Sequence, residues 1–280
     1  RIQEYISIGA VQPLPISDTP PSLVQPLHVI MKEGKKPRLV IDLSRNLNSL
    51  LPHTPFKYAS VQDAVLLSSP QCWYSKLDIS NCFLSFPLHP SMYKYFVFQF
   101  DGKYYQFTRL PFGLSTAPRV CTLLLSVIQF VLDQKGLTLV RYLDDFLMIS
   151  SSFQIASEHL TIAVQVFQHF GLVVNNQKTE GPAQQIQFLG IIINSIDCTL
   201  SISPERIDEM NQLLFHHISL PASAAVKVKD IMSFTGKLSF VSQVLPCARP
   251  FMRRLLDAIK GKRKHQRCRL PNEFKLDCTI

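Results

Sequence analysis

Asp144 and Asp145 are adjacent acids set between two apolar runs, Arg141-Tyr142-Leu143 before them and Phe146-Leu147-Met148-Ile149 after them. A third acid, Asp78, ends a predicted short strand, Tyr74 to Asp78. Carboxylates held close together repel and raise each other's pKa unless a cation lies between them. A divalent metal is the usual cation, and carboxylate with water suits Mg²⁺, which binds through one or two carboxylates plus substrate phosphates. On spacing alone, such a pair is more often structural, a surface turn that happens to carry two Asp. The apolar flanks are what such a turn would not need.

The elements that must position these acids read as follows. Residues 1–26 carry five prolines and read as an irregular, extended strap. Leu27 to Asp42 reads as a hairpin around Glu33-Gly34-Lys35-Lys36, and Tyr74 to Asp78 as a short strand. Tyr93 to Leu110 reads as a tight hairpin about Asp101-Gly102. A helix follows, capped by Ser115 or Thr116 with Pro118 in its first turn. Its spacing predicts a buried face of Val120, Leu123, Leu124, Val127, Ile128 and Val131. Thr138–Leu143 and Phe146–Ser150 read as strands with the Asp pair between them. A second helix spans Phe153 to Phe170, and strands recur at Leu172–Val174 and Ile186–Ile193. From Pro204 the pattern is helical, over Pro204–His217, Lys227–Leu245 and Arg249–Lys260. The fold class is therefore α+β, a mixed body followed by an all-helical end.

The chain has 280 residues, 46% of them hydrophobic, enough for a substantial core, and a formal net charge of +9. The excess is concentrated: eight Lys or Arg and one acid, Asp257, lie between Met252 and Arg269. Such a run is a solvated tail or a nucleic-acid contact. Seven cysteines without CxxC spacing argue against a disulfide framework. Cys72, Cys82, Cys121 and Cys198 lie in apolar stretches and read as buried thiols. Cys268 and Cys278 near His265 lack a second ligand pair for zinc. No apolar run has the length of a membrane span, and no signal peptide is evident. An intracellular fragment of something longer is the expectation, with no membrane partner.

Seven segments resemble the motifs of reverse transcriptases and follow in their order along the chain. Tyr142-Leu143-Asp144-Asp145 is similar to the family's Tyr-x-Asp-Asp box. Leu77-Asp78-Ile79-Ser80-Asn81-Cys82-Phe83-Leu84-Ser85-Phe86-Pro87-Leu88 resembles its first catalytic box, and Leu110-Pro111-Phe112-Gly113-Leu114-Ser115-Thr116-Ala117-Pro118 the next. Gly171-Leu172-Val173-Val174-Asn175 with Lys178, and then Phe188-Leu189-Gly190, follow. Lys32 through Arg38 to Asn48 looks like the fingers, and the helix carrying Asp230-Ile231, Gly236-Lys237-Leu238 and Phe240 looks like a retroviral thumb helix. The wording around Pro111 and the segment Asp42 to Asn48 look most like retrotransposons of the DIRS or tyrosine-recombinase type, then gypsy-like elements and pararetroviruses.

The resemblance implies a right-hand polymerase, with fingers, a palm built on an antiparallel sheet, and a helical thumb. Fingers and palm would span 1–199, the thumb 200–260, and a basic tail or truncated connection 261–280. It implies RNA-directed DNA synthesis: a template with primer, RNA or DNA, extended from dNTPs with two Mg²⁺ ions, or Mn²⁺ in their place. Asp78, Asp144, Asp145 and the backbone carbonyl of Ile79 would be the metal ligands. Lys178 would protonate the leaving pyrophosphate. Lys32 and Arg38 would clamp the triphosphate, with Phe112 and Gly113 in the nucleotide pocket. Phe83, five residues past Asp78, would be the steric gate that excludes the 2′-hydroxyl, which argues against an RNA-dependent RNA polymerase. Tyr142, Phe188, Leu189 and Gly190 would position the primer end, and Gly236, Lys237 and Phe240 would follow the template–primer duplex. Phe112 stands where retroviral enzymes have Gln, and Asn81 where Asp is frequent. An RNase H domain is expected on the longer polyprotein, beyond Ile280. The contrary reading is a catalytically silent relic or host-adopted protein that only binds nucleic acid; retention of all three acids weighs against it.

Overall fold

The computed structural model describes residues 1–15, 19–32, 34–52, 54–221 and 223–270. The chain forms two compact units, residues 1–186 and 187–280.

The first unit runs in the order α1 (Ile2–Ser7), β1 (Val11–Pro13), β2 (Leu27–Lys32), β3 (Lys35–Ile41), α2 (Leu47–Leu50), α3 (Val61–Leu67), β4 (Trp73–Asp78), β5 (Val97–Phe100), β6 (Lys103–Phe107), α4 (Ala117–Gln134), β7 (Thr138–Tyr142), β8 (Asp145–Ser150), α5 (Phe153–His169) and β9 (Glu180–Ala183). Its central sheet has the order β7-β8-β4-β9. The β4, β8 and β7 pairings are all antiparallel. α4 and α5 pack on this sheet over a core that includes Leu77, Leu125, Ile128, Phe146, Met148 and Phe167. A second core joins α1 and β1 to β3, β5 and β6 through Tyr5, Val11, Ile41, Phe98 and Phe107. β2 and β3 make the expected hairpin, with Ile30 opposite Arg38.

Several expectations are corrected. The opening segment is not wholly irregular, because Ile2, Tyr5 and Val11 are apolar enough to anchor a short helix and a strand in the second core. Tyr93–Tyr95 are not strand: Pro90 opens a 3₁₀ helix to Tyr95, with His89 accepting from the Ser91 N–H, and the hairpin proper starts at Val97. Neither Ser115 nor Thr116 caps α4 with its side chain, although Pro118 does sit in the first turn. α4 is also rotated from the expected face. Ala117, Cys121, Leu125, Ile128 and Leu132 point inward, while Val120, Leu123, Leu124 and Val127 are exposed. Both sets have helical spacing, and the smaller side chains of Ala117 and Cys121 allow close approach to the sheet. Leu172–Val174 contributes only an isolated bridge from Val174 to Ile79. Cys72, Cys82 and Cys121 are buried as expected, but Cys198 is exposed in a turn.

The second unit contains β10 (Gln185–Phe188, entered from the first unit), β11 (Ile191–Asn194), β12 (Thr199–Ile202), α6 (Pro204–Ser219), β13 (Ala225–Lys227), α7 (Val228–Val241), α8 (Arg249–Ile259) and β14 (Arg267–Arg269). It is not all-helical. Arg267–Arg269, inside the expected basic tail, pairs with β13 as a two-stranded sheet. Ile231, Phe234, Leu238, Leu255 and Leu270 form its core. Among the described residues no helix is long and apolar enough to cross a membrane. Cys278 lies outside the described residues.

Candidate active site

β4 delivers Asp78 and β8 delivers Asp145, and the register sets the two directly opposite one another. Directly opposed residues on antiparallel strands share a face of the sheet. Tyr142 pairs with Asp145 across the β7–β8 hairpin, so Leu143-Asp144 is a two-residue loop. Leu143 takes φ +52° there. That left-handed conformation is unusual for a branched apolar residue and is the kind of local strain found at functional turns. The Asp144 carbonyl accepts from the Ile79 N–H at 3.3 Å, tying the turn to the end of β4.

A loop from the far side of the sheet completes the arrangement. The Asn175 N–H donates to the Asp78 carbonyl at 2.8 Å, and the Ser80 N–H donates to the Val173 carbonyl at 2.8 Å. Asn175 Nδ2 donates to Asp78 Oδ1 at 3.2 Å. Lys178 Nζ reaches both Asp78 oxygens, at 3.0 and 2.9 Å. The Asp78 side chain is 6% exposed and that of Lys178 60% exposed. Asn175 organises this loop, since its Oδ1 accepts from the Gln177 N–H and its carbonyl from the Lys178 N–H.

Burial pushes the Asp145 carboxyl up to about 6, helped by the charges of Asp144 and Asp78 and opposed by Lys76 and Lys178. Burial likewise raises Asp144, with Asp78 adding to the rise and its own backbone hydrogen bond, Lys178 and Arg38 opposing it. Two desolvated carboxylates with raised pKa beside a third are destabilised as anions, and an added cation would relieve that. Among the described residues no three acid, His or Cys side chains already enclose an ion-sized space. The donor chemistry nevertheless fits a hard divalent ion, which keeps waters and substrate phosphates rather than requiring an all-protein cage.

A cavity of about 600 Å³ opens over these acids. Arg38, Asp78, Ile79, Phe83, Phe112, Asp144 and Lys178 all line it, gathered from positions as far apart as 38 and 178. Phe83 and Phe112 meet edge to face, ring centres 5.4 Å apart. Asp145 stands beside the cavity rather than in its lining. Gly113 lies just behind the wall: its carbonyl accepts from Asn48 Nδ2, and Asn48 Oδ1 accepts from the Ser115 N–H, both at 2.9 Å. Tyr142 is outside the cavity, packed on Tyr58 with ring centres 4.8 Å apart. The Lys32 side chain lies outside the described residues.

In the second unit, Phe188 is fully buried, so only the backbone and Leu189 of the Phe188-Leu189-Gly190 segment face outward. Leu189 and Gly190 both have positive φ, the form of a tight hairpin turn. Lys237 is ion-paired with Glu209 at 2.5 Å, and Gly236 has open space around it. Arg206 was not anticipated from the sequence. Its guanidinium stacks over the Phe240 ring at 4.6 Å and packs against Gly190, so it joins two of the expected contact segments. Arg1, Glu4 and Tyr5, which line the first-unit cavity, were also missed, and Asn175 entered only as part of a motif, with no role of its own. An Asn three residues before the Lys is a recognisable turn signal; nothing near the first residues signals a site.

Residues 30–193 match the family model described as reverse transcriptase (RNA-dependent DNA polymerase). The chain is 22% identical over 252 residues to the Gag-Pro-Pol polyprotein of Human T-cell leukemia virus 2, covering 87% of this chain and 16% of that polyprotein. It is 21% identical over 240 residues to the retrovirus-related Pol polyprotein from transposon opus of Drosophila melanogaster, covering 86% and 22%. Among solved structures, the foamy viral protease-reverse transcriptase in complex with ds DNA superposes with a TM-score of 0.77 at 17% identity, over 99% of this chain and 46% of that one. The chain thus spans about a sixth of the first of these polyproteins and about half of the foamy viral chain.

Proposed function

The chain belongs to the reverse transcriptase (RNA-dependent DNA polymerase) family and has the right-hand polymerase fold, and from that premise we propose that it extends a primer with dNTPs on an RNA or DNA template. The observation that carries this reading is the single cavity in which Arg38, Asp78, Phe83, Phe112, Asp144 and Lys178 converge.

Divalent cations bound at Asp78, Asp144, Asp145 and the Ile79 carbonyl would supply acidification of the primer 3′-hydroxyl and neutralisation of the triphosphate. The chain's own residues do the rest by position and charge. Arg38 offers a planar fork to phosphate oxygens at the cavity rim. Phe83 and Phe112 form an apolar wall against the sugar and base. Lys178, held on Asp78, would pass a proton from its ammonium to the leaving pyrophosphate. Tyr142, the Leu189-Gly190 turn, Gly236, Lys237 and Phe240 are the proposed primer and duplex contacts. Fingers and palm are assigned to 1–199, the thumb to 200–260 and a basic segment to 261–280. Contacts of this type to phosphate are independent of sequence and sensitive to salt.

The test is extension of a DNA primer on an RNA template with Mg²⁺ and dNTPs. Wild type is expected to extend; a well-folded wild type that does not would favour the silent nucleic-acid-binding reading. A second measurement addresses the gate. Phe83→Ala should raise ribonucleotide incorporation relative to deoxyribonucleotide by on the order of 10-fold or more. Loss of its contact with Phe112 alone would lower both substrates together, so an unchanged ratio removes Phe83 from that role.

A further inference from the structure

β13 and β14 make the basic end of the sequence a built surface rather than a tail. Their register sets Lys227 opposite Arg267 and Ala225 opposite Arg269. Directly opposed residues of an antiparallel pair share a face, and so do alternate residues of one strand. Lys227, Arg267 and Arg269 therefore occupy one face of the ribbon, and all three are exposed. Val226 and Cys268, on the other face, pack against the core of the second unit.

Like charges directly across a ladder destabilise it. Lys227 and Arg267 carry that cost, and no carboxylate pairs with either among the described residues. The nearest described acids along the chain serve other groups. Asp257 accepts from Arg253 Nε at 3.1 Å. Asp230 lies in the first turn of α7, where the free N–H groups of a helix favour an acid. An open groove of about 650 Å³ runs beside the ribbon; Lys262, Arg267 and Arg269 line it, and no acid does.

The ribbon is continuous with α7. The Val228 N–H donates to the Gln266 carbonyl at 2.8 Å and the Lys229 N–H to the Lys264 carbonyl at 3.1 Å, so the chain leading into β14 lies beside the first turn of the helix. Within α7, Lys229, Gly236 and Phe240 are spaced i, i+7 and i+11, which puts them on one face. About 16 Å of helix separates Lys229 from Phe240, a length over which one strand of a duplex carries roughly five phosphates.

We infer that the ribbon and the start of α7 form a docking surface for the phosphate backbone of duplex nucleic acid, held by Lys227, Lys229, Arg267 and Arg269. This rests on the template–primer partner proposed above and extends the contact face of α7 beyond Gly236, Lys237 and Phe240. A linear polyanion suits these cations better than a small anion, because alternate residues on a strand stand about 6.7 Å apart and do not converge on one point. A lipid surface suits them less, because the ribbon's apolar side is committed to the core and has nothing to insert. The surface accepts any sequence, since phosphate contacts fix position without reading bases.

The experiment is equilibrium binding of a fluorescein-labelled DNA duplex to the 280-residue chain, followed by anisotropy over a range of salt and without dNTPs. Lys227→Gln/Arg267→Gln/Arg269→Gln is compared with wild type and with Lys94→Gln/Lys103→Gln/Lys135→Gln, which removes the same charge from exposed positions of the first unit. The ribbon variant is expected to bind at least about 10-fold more weakly at about 0.15 M salt, and its slope of log affinity against log salt should be shallower by about 2 to 3. The control should keep the wild-type slope. Equal slopes for the two variants overturn the docking surface alone, whereas a wild type that binds no duplex overturns the template–primer reading with it. Phosphatidylserine vesicles form the second arm. Vesicle binding lost in the ribbon variant, with duplex affinity unchanged, assigns the surface to a membrane and overturns the nucleic-acid role. If the triple variant does not fold, Arg269→Gln alone should flatten the slope by about 1, and a full wild-type slope counts against the surface.

Discussion

Asp78→Asn is expected to leave less than about a thousandth of wild-type primer extension, by analogy with the loss of a single preorganised charge-stabilising group. Its melting temperature should move by only a few degrees. The substitution is nearly isosteric. An Asn Oδ1 can still accept from Asn175 Nδ2 and from Lys178 Nζ, so the loop that Asn175 organises keeps its anchors. The lost ion pair has one mostly exposed partner, Lys178, and exposed pairs contribute roughly 0–1 kcal/mol. Removing the Asp78 charge also relieves the repulsion that helps raise Asp144 and Asp145. Stability and activity should therefore separate. Single-nucleotide extension and a thermal melt on one preparation decide it. Activity within 10-fold of wild type would exclude Asp78 as a reaction-centre carboxylate, and a collapsed melt would reassign it to structure.

Much of the site was legible because its residues lie at ends of strands. Strand runs announce themselves by β-branched and aromatic content, and an acid at the end of such a run stands out. Asp78, Asp144 and Asp145 could be placed at strand ends and a turn in this way. Their register could not: nothing local says that Asp78 opposes Asp145, because pairing between β4 and β8 is a choice made by the whole sheet. Long-range satisfaction is equally invisible. Lys178 reads as a solvated loop residue until a strand a hundred positions earlier supplies its partner. The error on α4 has the same origin. Val120, Leu123 and Val127 repeat with helical spacing just as Ala117, Cys121 and Leu125 do, and periodicity alone cannot choose between two apolar faces. Arg206 escaped notice because its partners, Phe240 and Gly190, lie on two other elements of the second unit.

Gly113→Ala should destabilise the first unit by more than about 3 kcal/mol, because two independent costs add. The resemblance implies that Gly113 lies in the nucleotide pocket. In the structure the close neighbour is another strand. A Cβ on Gly113 would stand 2.0 Å from the Ile41 carbonyl oxygen and 3.1 Å from its carbon. That obstacle is backbone of β3, and Ile41 is fully buried, so it cannot swing aside as a flexible side chain would. Gly113 also has φ +109°, outside even the left-handed helical region, and strain there costs about 1–3 kcal/mol for any other residue. For a unit of this size the melting temperature should fall by roughly 6–12 °C. The damage reaches the cavity, because the same approach lets the Ile41 N–H donate to the Phe112 carbonyl at 3.2 Å. Displacing β3 moves Phe112 against Phe83, so KM for dNTP should rise in whatever fraction stays folded. Gly236→Ala is the control. Its helical site has open space around it, and alanine there should be neutral or stabilising by up to about 1 kcal/mol. A Gly113→Ala protein that melts within about 2 °C of wild type would mean that β3 yields easily. The wall of the nucleotide cavity would then be set by the Asn48 hydrogen bonds rather than by the contact between Gly113 and Ile41.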